Sequence, residues 1–157
     1  MSVDTIAAAN DPYEFEMQLR WSDQDALGHV NNARVITLME EARIRWSRFA
    51  SGDGAARFGS GLVVASLSVD YLRQVHYTPT LLMRVGVVRI GTKSFTVRHV
   101  GLLDGDAVFD GTTVMVPLGP GGRSSRALDD VERSWLEASM MDAVAKRGGE
   151  NPATQDA

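Results

Sequence analysis

Between residues 13 and 21 the chain alternates, with Phe15, Met17 and Leu19 on one side and Glu14, Glu16 and Gln18 on the other. That predicts a first strand with one wet face. A loop rich in Asp, Gly and Asn follows. From residue 32 to 50 the period becomes helical, and Val35, Met39, Ala42, Trp46 and Phe49 form an apolar stripe that Ile36 and Ala50 widen. Arg34, Glu41, Arg45 and Arg48 take the opposite face, where Glu41 and Arg45 have the spacing of a supporting ion pair. Asn31 or Asn32 is the natural N-cap, and the glycines of SGDGAARFGSG stop the helix.

Period two then returns over residues 62–72, 81–90, 93–102 and 107–116. The first of these alternates Ala65, Leu67, Val69 and Tyr71 against Ser66, Ser68 and Asp70. Gly91-Thr92 and Asp104-Gly105 read as hairpin turns. Successive strands with short links predict an antiparallel meander. A second helix of weaker amphipathicity is expected from 127 to about 146, and residues 1–11 and 147–157 are expected to be flexible. The order strand, long helix, four strands, helix predicts one α+β domain over 1–157, with its core at about 13–146. In it a five-stranded antiparallel sheet curls around one central helix, with a C-terminal helix added. Its unpaired edges make self-association plausible.

Composition narrows the chemistry. The formal charge of −4 argues against nucleic acid, which calls for a basic face. With no cysteine, disulfides, thiolate metal sites and cysteine nucleophiles are excluded. No cluster has metal-ligand spacing. No apolar run approaches the ~20 residues of a membrane span. The start MSVDTIAAAN lacks the basic and apolar stretches of a secretory signal, so a cytoplasmic location is expected.

The run WSDQDALGHVNN, residues 21–32, gathers two carboxylates, a glycine, a histidine and two asparagines at the start of the long helix. Such a crowd suits a site that holds a carbonyl oxygen on backbone N–H groups beside a carboxylate. Asp25 is a candidate nucleophile or general base, because no serine sits in a G-x-S-x-G setting. It is equally able to organise the loop as an Asx turn. Asp23 is expected to tie down its loop. His29 has two readings, proton handling at the site or a bond to loop backbone. Gly28 permits a positive φ or a close backbone approach to a thioester. Asn32 caps the helix or offers its N–H. Glu40, on the helix, is the reserve catalytic candidate, with an ion pair to Arg43 as its plainer role. His76 shows no partner spacing, and His99 alternates with Phe95 and Val97 as a satisfied core residue.

With these residues in hand, the chain resembles the hotdog-fold acyl-CoA thioesterases, and more narrowly the branch related to 4-hydroxybenzoyl-CoA thioesterase. RWSDQDALGHVNNARVITLMEEARIRW resembles that branch's signature, and SVDYLRQVHY and RIGTKSF resemble its later segments. The resemblance implies a hotdog fold and a catalytic carboxylate at Asp25. It implies an oxyanion contact from the backbone N–H of Asn32, where some relatives carry histidine. An aromatic is usual at the position of Val35, which implies a differently shaped acyl pocket here. Lys93 matches a family lysine near the nucleotide of coenzyme A, with Ser94 beside it; Arg73 and Arg89 are weaker candidates for its phosphates.

The expected activity is hydrolysis of an acyl-CoA to free acid and CoA, with no cofactor beyond the coenzyme A of the substrate. The active unit is expected to be a dimer or tetramer, with sites between subunits and Lys93 reaching across. A dehydratase or hydratase acting on acyl thioesters and a non-catalytic acyl-CoA-binding protein are the alternatives.

Overall fold

The computed structural model describes residues 12–49, 57–59 and 61–141. Ala50, most of the glycine-rich helix stop, both expected flexible ends and residues 142–146 of the second helix lie outside them. Strand β1 (Tyr13–Gln18) leads through one 3-10 turn (Trp21–Asp23) and a loop into helix α1 (Asn32–Phe49). Then come β2 (Leu62–Tyr71), β3 (Thr80–Ile90), β4 (Phe95–Leu103), β5 (Asp106–Pro117) and helix α2 (Asp130–Ala138).

The five strands form one antiparallel sheet in the order β1-β3-β4-β5-β2. The expected four-strand meander is thus corrected to three strands, β3-β4-β5. Residues 72–79 are a long enough link to carry the chain across the sheet end, so β2 pairs with β5 and leaves the edge of β3 to β1. The β4–β5 turn is the expected two-residue one. Leu103 pairs with Asp106, and Asp104 and Gly105 have φ of +50° and +82°. Positive φ at both central residues matches the twist of the flanking strands.

One face of the sheet is apolar, with Met17, Leu81, Met83, Val85, Val97 and Phe109 buried. Against it α1 lays Val35, Leu38, Met39, Ala42, Arg43 and Trp46. Each large apolar side chain so buried stabilises the fold by about 1.5–3 kcal/mol. The expected stripe needs two corrections. Ile36 falls at the border of the buried arc and Phe49 ends the helix past its cover, leaving them 39% and 68% exposed. Leu38 and the Arg43 stem take those places. α2 packs near the C-terminal end of α1, where Trp135 meets Trp46 at 4.9 Å between ring centroids. It is shorter than expected because residues 139–141 leave the helix to bond β3, through Val87 N–H to Ser139 O and Met141 N–H to Val87 O, both 2.9 Å.

β2 departs most from its pattern. Its alternation predicts one buried face, yet none of its residues is buried. It lies at the sheet edge, with a bulge between Val64 and Ser66. His99 is buried as expected, but neither ring nitrogen has a hydrogen-bond partner among the described residues. Burial first, then the charge of Arg43, push its pKa down to about 3, with the backbone of Gly111 opposing. The imidazole is therefore neutral in the fold. No described helix is long and apolar enough to cross a membrane.

Candidate active site

The loop from β1 to α1 is held by its own backbone. Asp23 ties it down as expected: its carboxylate accepts the Arg20 N–H at 2.7 Å and its carbonyl accepts the Asn31 N–H at 2.8 Å. One turn on, the Asp25 N–H donates to the His29 carbonyl at 2.8 Å. Asp25 Oδ1 accepts from Leu27 N–H at 2.9 Å and from His29 N–H at 3.3 Å. This is an Asx-type turn, and Gly28 closes it at φ +77° with open space where a Cβ would be. The positive φ is thus one reason for this glycine. The Asx bonds use one oxygen of Asp25. Oδ2 makes no hydrogen bond among the described residues, and the side chain is exposed.

Asn31 is the N-cap of α1. Its Oδ1 accepts the Ala33 N–H at 2.8 Å, and its carbonyl accepts the N–H groups of Arg34 and Val35 at 2.8 and 3.2 Å. The Asn32 N–H has no acceptor among the described residues. The first turn of α1 holds no acidic side chain to offset the positive end of the helix. A carboxylate oxygen and an open N–H donor thus flank one short loop, the pair that attack on a carbonyl requires.

Two residues complete the neighbourhood, one from the end of β2 and one from the β2–β3 connection. The Tyr71 hydroxyl donates to the Asn32 carbonyl at 2.9 Å. His76 pairs with His29 as an isolated antiparallel bridge, and the two imidazoles meet edge to face at 4.9 Å. The sequence pattern marks neither as a site residue. They lie more than 35 residues beyond the loop, and only the crossing of the β2–β3 link brings them in.

Of the candidates for coenzyme A, Arg73 lies at this end of the sheet and is ion-paired with Asp106 at 2.8 Å. Lys93 and Ser94 sit in the β3–β4 hairpin at the other end of β3, about 33 Å from Thr80 by strand length. The fold does not bring them to Asp25 within one protomer. Arg89 is likewise near that far end. Glu40 is exposed on α1. Its charge raises the pKa of Arg43 against the stronger lowering by burial, but no Glu40–Arg43 contact falls within 4.0 Å; Arg43 Nη1 reaches Thr113 Oγ1 at 3.5 Å. A pocket of about 260 Å³ opens between β1 and the outer face of α1, lined by Arg20, Asp23, Arg34 and Glu41 among others, without Asp25 or His29. Among the described residues no group of three or more His, Asp or Glu side chains has a metal-holding arrangement.

Comparisons with known proteins converge. The family model described as the thioesterase-like superfamily matches residues 19–147. The uncharacterized protein YsmA of Bacillus subtilis (strain 168) is 30% identical over 122 residues, 77% of this chain and 82% of its own. A 1,4-dihydroxy-2-naphthoyl-CoA hydrolase of Synechococcus sp. (strain WH7803) is 24% identical over 159 residues, 90% of this chain and 99% of that protein. A thioesterase of Thermus thermophilus, solved in complex with coenzyme A and Zn, superposes with a TM-score of 0.71 at 34% identity, over 82% of this chain and 94% of its own.

Proposed function

The chain belongs to the thioesterase-like superfamily and is a hotdog-fold thioester hydrolase; on that footing we propose that it cleaves an acyl-CoA to free acid and CoA, with Asp25 as its catalytic carboxylate. The carrying observation is the juxtaposition on one loop of an uncommitted Asp25 oxygen and the open Asn32 N–H. As nucleophile, Oδ2 adds to the thioester carbon, the Asn32 N–H takes the oxyanion, and the C–S bond breaks to leave the thiolate of CoA. Water then hydrolyses the mixed anhydride. As general base, Asp25 instead takes a proton from the water that attacks. In this reading His29 hands a proton to the departing sulfur.

The coenzyme A bound by the Thermus relative and the CoA ester in the name of the Synechococcus relative support this substrate class. We infer further that the active unit is at least a dimer. β2 presents Val63, Val64, Leu67 and Tyr71 at an open sheet edge, and such edges are normally covered. Lys93 and Ser94, remote from Asp25 in one protomer, would then meet the nucleotide of a substrate bound to the other. No cofactor is needed, and the cytoplasm is the expected compartment.

The test is thiol release from short, medium, long and aromatic acyl-CoA substrates, wild type against Asp25→Asn. The amide keeps an oxygen for the Leu27 N–H, so the loop survives. The expected loss is a hundredfold or more, about 3 kcal/mol of barrier. Equal activity in the folded variant would remove Asp25 and turn attention to Glu40. Tight acyl-CoA binding without turnover by either protein would favour a binding role.

A further inference from the structure

His29 is fixed through its main chain. Its N–H goes to Asp25 Oδ1, its carbonyl takes the Asp25 N–H, and the neighbouring Val30 N–H donates to the Val75 carbonyl at 2.7 Å. Its ring nitrogens make no hydrogen bond among the described residues, and the side chain is half-buried. A ring so placed is free to swing between rotamers unless something packs against it. His76 does: the ring centroids are 4.9 Å apart at an interplanar angle of 71°, the edge-to-face arrangement that aromatic pairs favour. The backbone bridge between the two residues sets the register of this contact.

We propose that His76 is a positioning residue for His29, acting through the packing of its ring and not through its own nitrogens. The inference rests on residues 25–32 being the hydrolytic site. The connection after β2 then supplies the wall against which the proton-handling group of the loop is aimed. The bridge itself uses main-chain atoms and survives any side-chain change at position 76.

The experiment compares wild type with His76→Phe and His76→Ala in steady-state thiol release and in the NMR Hα–Hβ couplings that report the His29 χ1 rotamer. The chain has three histidines, so assignment by substitution is direct. In His76→Ala, kcat is expected to fall about tenfold with KM nearly unchanged, the size expected for a lost rotamer preference. The His29 couplings should also change from those of one dominant χ1 rotamer to an average over several. In His76→Phe both readouts should return close to wild type. Equal loss in the alanine and phenylalanine variants would overturn the proposal by making the His76 nitrogens essential. So would an alanine variant with kcat and couplings unchanged. If wild type releases no thiol, the hydrolytic assignment fails separately. The His29 couplings then decide alone: averaged in Ala and kept in Phe upholds positioning, and unchanged in Ala overturns it.

Discussion

α1 and α2 each begin on an Asx residue whose side-chain oxygen accepts an N–H of the first turn, Asn31 for one and Asp129 for the other. From there they part. Three residues after its cap, α2 has Glu132, which returns a bond to the Asp129 N–H at 2.9 Å and accepts both Nη atoms of Arg126 at 2.8 and 2.5 Å. α1 has Arg34 at the matching position, and the N–H of its cap, Asn31, goes to the Asp23 carbonyl at 2.8 Å; the first helical N–H, of Asn32 and of Asp130 alike, has no acceptor among the described residues. Each helix also buries a charge. Glu132 is paired on every side, whereas among the described residues Arg43 reaches only Thr113 at 3.5 Å, and its charge acts on His99, which has no hydrogen-bond partner there. The same local grammar thus yields an acidic, cross-braced first turn in one helix and a first turn without a carboxylate in the other. The difference lies in which charge follows the cap.

The contrast is testable from both sides. Arg126→Ala should be the most damaging change, because it strands the Glu132 carboxylate, 1% exposed, without its cation. A loss of about 3 kcal/mol in urea unfolding is expected, with kcat of the surviving folded protein unchanged. The buried polar group under α1 should show itself through pH. His99 titrates near 6.5 when unfolded and near 3 when folded, so between those values the unfolded chain binds a proton that the fold refuses. Stability should therefore fall as pH drops below 6.5, by roughly 1 kcal/mol per pH unit from this residue. His99→Leu should flatten the slope of urea midpoints between pH 6.5 and 5; an unchanged slope would assign it to other groups. Smallest is Arg34→Glu, which gives α1 the acidic residue that α2 has. It should stabilise the fold by about 0.5 kcal/mol and lower activity, because a carboxylate there competes with the negative charge that develops on the substrate oxygen.

Much of this was legible in the sequence because it is local. The alternation of Phe15, Met17 and Leu19, the start of α1 after Asn31 and the Asp104-Gly105 turn depend on neighbours along the chain, and all are found. So is the Asx turn at Asp25, which is compatible with a free second oxygen. What failed depends on the third dimension. The buried arc of α1 includes Arg43 because Thr113 waits beneath it, 70 residues away. β2 looks half-buried by pattern, but its position at the edge decides its exposure. Tyr71 and His76 carry no local signal, since their partners are reached only by the crossing link.

That crossing also bears on how long the site lasts. The loop after β1 and the link after β2 grow from the two outermost strands of the sheet, yet they meet over its end through Val30–Val75, His29–His76 and Tyr71–Asn32. Edge strands open more readily than the centre of a sheet. Brief fraying at either margin, with β3, β4 and β5 still intact, is enough to pull the two halves apart. Working lifetime is then set by the margins of the molecule, and a treatment that leaves its core folded can still silence it.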